Sequence, residues 1–457
     1  MSRRSLTLIS GLAALMLASL ACTISLPGTV STDGAAATAV AGTIAALTPA
    51  SPTTAEAHSA ATEAAPLPTL APAPIRVSFI NSARNLYVWT DGTAAAVQLT
   101  SSGDAVQSYV SPDGSLIAFT RSTDFITTQL DVINFNGTNQ RTLVTSAAFA
   151  ALPRDSGTIT SLPYKIAWIP NSHRLAMNVR LAFEGPGLQV ADQLYNIDVD
   201  SGVMTTLLAT GASGQFSYSP DGSKIVITRS TGIDLYHADS SLLLANVVVH
   251  SFVNTASEYA WVATPSWQPD SSYFAVAIPP AEPWVDSPAP SSVWKVSSTG
   301  TALTTLTTGM SFFPGSVASF DPILSRVAFA TRVGPAADNI WALHIANIDG
   351  SSDSILANGY FSHLPTWAPD GNYYLFSNMS GSVSQAYLGS STSAPVLLAD
   401  VASLQAVRWL DNHRYVVSSK GPAGTSLLLG TIGSTSGVIF NDPGPFNSQE
   451  LNFDVNR

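Results

Sequence analysis

From Ile75 onward the chain reads as β without interruption: short apolar runs follow one another, each bounded by clusters of Gly, Pro, Asn, Asp and Ser. The clearest unit is Pro365-Thr-Trp-Ala-Pro-Asp-Gly-Asn-Tyr-Tyr-Leu-Phe376. Pro365 to Trp367 begins one strand, Pro369-Asp370-Gly371 turns the chain, and Tyr373 to Phe376 returns antiparallel. Pro presets φ at the first turn position, Asp bonds to the local backbone, and Gly takes the left-handed residue that closes such hairpins.

Imperfect copies of this unit recur about every fifty residues. Aligned on the residue before the turn, they give the column Val110, Trp168, Tyr218, Trp267, Phe320, Trp367 and Trp409. Each turn is followed by a short apolar strand: Leu116–Phe119, Leu175–Val179, Ile225–Ile227, Tyr273–Val276, Arg326–Phe329, Tyr373–Phe376 and Tyr415–Val417. Four short strands at a fixed period predict an all-β fold, a β-propeller of four-stranded antiparallel blades, because no single blade can bury both its faces. The aromatic column is then core, packed against adjacent blades. Ahead of the first copy, Arg76–Ile80, Leu86–Thr90 and Val97–Thr100 read as a blade lacking its innermost strand. At the far end, Glu450-Leu-Asn-Phe-Asp-Val455 alternates as a strand should. A composite blade joining the two ends closes the ring and removes its open edges. Eight blades are expected, seven if the first or a weak repeat is absorbed elsewhere.

The Trp-x-Pro-Asp-Gly-x-x-Ile-Ala-Phe pattern resembles the TolB-type propeller repeats, relatives in shape of WD-repeat propellers, over roughly residues 75 to 457. The chain lacks the mixed α/β domain that precedes the TolB propeller, so the peptidoglycan-associated lipoprotein partner of that family is not implied. The repeats also resemble the propeller of prolyl-oligopeptidase-type peptidases, but no hydrolase domain follows.

Residues 1–21 read as an export signal, with Arg3 and Arg4 as the positive segment and Leu6 to Ala21 as an apolar stretch short for a membrane span. Cys22, the single cysteine of 457 residues, follows Ser19-Leu20-Ala21 directly, which resembles a bacterial lipobox and marks Cys22 as the lipidation site. Residues 22–74 are rich in Ala, Thr, Pro and Ser and bury too little apolar surface to fold alone. As a tether they would reach about 40 Å on average. The chain is therefore expected to be extracytoplasmic and lipid-anchored to the cell membrane, with residues 75–457 as a monomeric propeller ring.

Charge and composition narrow the partners. Charged residues make up 11% of the chain, and the chain carries −11. Without Arg3 and Arg4 the balance is 17 basic against 30 acidic residues, or −13. That balance argues against nucleic acid or an anionic bilayer surface.

Meander geometry puts the Pro-Asp-Gly turns at one end of every blade. The long connections, Ser122–Thr128, Ser146–Pro163, Phe183–Ala191, His250–Thr264, Pro279–Ser292 and Arg332–Asp338, then lie at the other, where recognition on a rigid ring usually lives. Trp284, in a Pro-rich loop with no strand around it, is a candidate aromatic platform for a sugar or peptide. Arg121, Arg180, Arg229, Arg332 and Lys420 follow the second strands of their blades at equivalent points. They are candidate ligand-binding residues on a positive rim, unless neighbouring Asp124, Glu184 or Asp338 pair with them.

Catalytic signatures are sparse. Gly433-Ser-Thr-Ser-Gly437 has the wrong central residue for a nucleophile elbow. The seven histidines lack metal-ligand spacing, and Asp198-Val-Asp200-Ser-Gly202 lacks the remaining ligands of a calcium loop and reads as a hairpin turn. No catalytic residue, metal or cofactor is therefore assigned. The favoured reading is a binding or scaffold propeller that recognises an envelope protein, peptide or cell-wall glycan through its long-loop face. The alternative is a hydrolase or lyase at the channel, for which Glu184, Glu258, Glu282, His250 and His363 are the candidates.

Overall fold

The computed structural model describes residues 74–124, 128–154, 157–183, 191–285, 288–310, 317–334, 340–444 and 451–456. The chain divides into two units, Met1–Thr69 and Leu70–Arg457. The export-signal reading, Cys22 and the tether call at residues 22–73 lie outside the described residues, as do Glu184, Asp338 and Glu450.

The described residues form eight four-stranded antiparallel sheets. They are arranged as the blades of a propeller. Numbered along the chain, blades 2 to 8 occupy residues 105–144, 158–208, 215–249, 266–308, 318–359, 363–397 and 404–442, each a simple meander from the channel outward. Blade 1 is composite: its three outer strands are Arg76–Ile80, Leu86–Thr90 and Val97–Gln98, and its innermost strand is Phe453–Val455 from the other end of the chain. The closing pair runs in the register Val77↔Val455, Ser78↔Asp454 and Phe79↔Phe453. Eight blades and the composite closure are thus as the strand pattern predicts.

Local sequence explains why the repeat holds its shape. In blades 2, 4 and 7 the turn glycines Gly114, Gly222 and Gly371 sit at φ of +72°, +74° and +72°. Asp113 and Asp221 accept from the backbone N–H two residues on, and the Asp198-to-Gly202 stretch is the turn between the third and fourth strands of blade 3. In six blades the register between third and fourth strands slips at equivalent residues, at Asp131, Tyr195, Leu235, Trp294, His344 and Leu428, which adds the twist each blade needs.

Blades are joined by apolar packing and by a few directed contacts. The Trp409 Nε1–H donates to Thr366 O at 2.8 Å and the Trp168 Nε1–H to Tyr109 O at 3.0 Å, each reaching the innermost strand of the preceding blade. At the turn end of blades 1, 6 and 8, the arginine that opens the second strand binds the next blade. Arg76 donates to Gly114 O, Arg326 to Gly371 O, and Arg414 pairs with Asp91 of blade 1 at 2.5 Å. These arginines staple the ring, including its seam.

The long connection expected at Ser146–Pro163 is shorter than its sequence suggests. A one-turn helix, Ser146–Ala150, capped by the Thr145 hydroxyl, fills its start, and the innermost strand of blade 3 already begins at Thr158. The cap satisfies a helix N–H that would otherwise be orphaned.

Candidate functional site

The basic residues predicted for the rim do occupy similar places, in the last residues of the second strands or, for Arg229, just past the end. They are engaged differently. Arg121 is held by Asp104 at 2.7 Å and by the buried Asp131 at 3.1 Å. Arg229 pairs with the buried Asp234 and donates to Ala212 O at 2.8 Å. Arg332 lies 5.1 Å over the Trp341 ring, and Arg180 lies 5.8 Å over Tyr164. Lys420 is exposed. Within blades 2 and 4, then, a carboxylate on the third strand already takes up the rim arginine, and burial of that carboxylate makes the pair costly to break.

The long loops of blades 4 and 5 form a second assembly at the same end. Asn254 joins them: its N–H donates to Ala281 O at 2.8 Å and its Nδ2 to Glu282 Oε2 at 3.0 Å. Beneath the assembly, Val253 and Trp261 are buried, and the Thr255 hydroxyl donates to Tyr259 O at 2.8 Å. On its outside, Phe252, Tyr259 and Trp284 are 43%, 42% and 49% exposed. A concavity of about 420 Å³ is lined by Ala256, Ser257, Glu258 and Tyr259. Folded, hydrogen-bonded loops that hold three large rings in solvent differ from a core, where the same rings would be covered.

Trp284 therefore does not stand alone. Phe252 and Tyr259 meet the criterion that singled out Trp284, an aromatic in a long connection without a strand around it, so that signal was present in the sequence. The structure also brings Glu258, Glu282 and His250 to this one loop pair. Burial pulls the His250 imidazole below its usual pKa; it stacks edge-on to Trp261 at 5.6 Å, with Nδ1 against Ser251 O. His363 is elsewhere, on blade 7, with Nδ1 3.2 Å from both the Ser362 and Ser377 hydroxyls.

The turn end is not featureless. A concavity of about 610 Å³ there is lined by Asp411, His413 and Arg414, and one of about 270 Å³ by Pro170, Arg174 and Tyr218. The larger lies beside the Arg414 staple.

The channel wall holds residues that the repeat pattern did not single out. Lys165, on the innermost strand of blade 3, sends Nζ to Phe216 O on blade 4 at 2.7 Å and over the Phe216 ring at 5.0 Å. Burial pulls its pKa below that of an ordinary lysine. Its neighbour Tyr164 accepts a hydrogen bond from Gln215 Nε2 at 3.1 Å.

No known protein-family profile matches the chain, and no curated protein is similar to it in sequence. Several solved structures are similar to it. A eukaryotic initiation factor structure is similar at 13% identity and a TM-score of 0.48, over 84% of this chain and 97% of that one. An oligogalacturonate lyase in complex with manganese is similar at 14% identity and 0.44, over 78% and 95%. TolB from Acinetobacter baumannii is similar at 13% and 0.33, over 71% and 62%. At such identities and scores the likenesses say nothing of ligand or activity.

Proposed function

We propose that this chain is an extracytoplasmic binding propeller, anchored to the membrane through a lipid on Cys22, that recognises a glycan with the paired loops of blades 4 and 5. The observation that carries the reading is the exposure of Phe252, Tyr259 and Trp284 on loops locked together by Asn254. An aromatic face offers apolar contact to the C–H side of a sugar ring while leaving the ring's hydroxyls free. Glu258 and Glu282, in the same loops, supply acceptors for those hydroxyls. Ligand sites of this kind combine a few rigid aromatic anchors with a small number of placed polar groups. The acidic balance of the chain suits a neutral or amino-sugar ligand better than a nucleic acid.

The test is retention of the full-length protein on cell-wall glycan. Trp284→Ala and Tyr259→Ala are each expected to weaken retention by about tenfold or more, the scale of losing one aromatic anchor. Unchanged retention in both variants refutes the loop pair as the site. Release of new reducing ends during the same incubation would point to a hydrolase or lyase. Capture of a protein from a glycan-free extract, lost in the same variants, would replace the glycan with a protein partner. Incorporation of labelled palmitate, abolished by Cys22→Ser, tests the anchor.

A further inference from the structure

Where the innermost strand of blade 3 pairs with its neighbour, the register jumps: Pro163 faces Val179 and Ile166 faces Met177, so Tyr164 and Lys165 together oppose the single residue Asn178. Bulges of this kind re-aim side chains and are common beside functional sites. Here the effect is visible in the contacts. On a regular strand, consecutive side chains point to opposite faces. At the bulge both reach blade 4 one residue apart, Tyr164 meeting Gln215 and Lys165 meeting Phe216.

The polar groups gathered there are incompletely used. An ammonium has three donors, and Lys165 spends one on the Phe216 carbonyl and sets its charge against a ring face. No carboxylate lies within ion-pair distance of it among the described residues. The Tyr164 oxygen already accepts from Gln215, so its own hydroxyl hydrogen remains to be donated. Opposite the bulge, Asn178 is fully buried; its Nδ2 is committed to Gln193 O and Gly214 O, and its Oδ1 has no hydrogen-bond partner. Arg180 lies behind the Tyr164 ring, 5.8 Å from its centre. Half-buried charges are normally paired; Arg121 on blade 2 and Arg229 on blade 4 each have an aspartate of their own.

We infer that the bulged strand of blade 3 forms a carboxylate-binding site in the channel wall, with the Lys165 ammonium as its counter-charge and the Tyr164 hydroxyl as its second donor. One negative charge shared by two oxygens matches one ammonium and one phenol. A phosphate dianion would instead set two negative charges against the one ammonium. This site is separate from the loop pair of blades 4 and 5, and either reading can fail without the other.

Succinate is the probe, with succinamide as its neutral control, titrated calorimetrically into the full-length protein at constant ionic strength. Saturable binding of succinate and none of succinamide is expected. Lys165→Met should weaken succinate binding by about tenfold or more, and Tyr164→Phe, which deletes only a partly exposed hydroxyl, by about fivefold. The chain has four lysines, Lys165, Lys224, Lys295 and Lys420, so trace acylation read by mass spectrometry reports each one. Succinate should slow acylation of Lys165 alone. Absence of saturable succinate binding, equal binding of succinamide, affinity unchanged in Tyr164→Phe, or protection spread over all four lysines would each overturn the proposal. Phosphate binding tighter than succinate would overturn the assignment of ligand class.

Discussion

Phe453→Ala tests the seam of the ring. Phe453 is 6% exposed and lies in the three-residue strand that completes blade 1, facing Phe79. It packs in one apolar cluster with Val77, Phe79 and Trp89 of blade 1 and with Val416, Leu427 and Ile439 of blade 8. Removing such a ring leaves a cavity that the surrounding sheets cannot fill, and costs about 3–5 kcal/mol. A native domain holds only about 5–15 kcal/mol in total. The strand is also held by three residue pairs with Arg76–Ile80, by flanking hydrogen bonds from Ile80 N–H to Asn452 O at 2.9 Å and from Asn456 N–H to Arg76 O at 3.1 Å, by Arg408 5.9 Å over the Phe453 ring, and by the side chains of Asn452 and Asp454, which accept from the Ser108 and Val110 N–H groups of blade 2 at 3.2 and 2.8 Å. Because each blade is stabilised by its neighbours, a loosened seam exposes two sheet edges at once. Urea unfolding followed by tryptophan fluorescence gives the measurement. The control is Phe440→Ala, in the same cluster but half-buried on the outer strand of blade 8, 4.9 Å from Phe79. Its loss should be roughly 1–2 kcal/mol, half or less of full burial. If Phe453→Ala costs no more than Phe440→Ala, or less than about 1 kcal/mol, the C-terminal strand does not carry the closure.

Two further outcomes follow from close contacts and charge. A Cβ at Gly430 would lie 2.0 Å from the ring of the buried Tyr415, its cross-strand partner, so Gly430→Ala should destabilise by about 1–3 kcal/mol in the same urea assay, while Gly437→Ala, with open space around it, should be near neutral. His173 bridges Asp113 of blade 2 and Asp200 of its own blade, both at 3.3 Å. Burial pulls its pKa down, but the two carboxylates outweigh it and hold it above the usual value. A raised folded pKa means that the stabilisation is complete below about 6.5, the unfolded value, and fades as pH rises through the folded one. His173→Gln should therefore remove under about 1 kcal/mol at pH 6 and almost nothing at pH 9, because the groups are largely exposed. An equal loss at both pH values would refute the charged bridge.

The fold was legible because the repeat encodes it redundantly. Seven Pro-Asp-Gly-like turns in register carry the same instruction, so degraded copies such as Asp321-Pro-Ile323 still fold as their neighbours do: Phe320 precedes the turn, and Asp321 accepts from the Ser325 and Arg326 N–H groups. Alternation in Leu451 to Val455 was sufficient to foresee the closing strand, since a strand of that pattern has one face to bury and the first blade lacked a partner. The inter-blade staples were harder to see. Arg76, Arg326 and Arg414 open strands whose next residues are mostly apolar, and nothing local says that each will reach the neighbouring blade's turn or loop.

Site chemistry was less legible, and the reason is geometric. Rim arginines are recognisable by repeat position, but whether a rim cation is available depends on what stands across from it on the third strand. Asp131 and Asp234 there answer Arg121 and Arg229, while the equivalent residue of blade 8, whose rim cation is Lys420, is Leu428. Lys165 was invisible for a different reason. Strand periodicity assigns Tyr164 and Lys165 to opposite faces, and only a register shift brings both to Gln215 and Phe216. A bulge is an exception to the rule by which strands are read from sequence. The innermost strands of blades 2, 7 and 8 slip as well, but only in blade 3 does the slipped stretch carry a lysine, and its ammonium, with no carboxylate in reach among the described residues, is the group to test first.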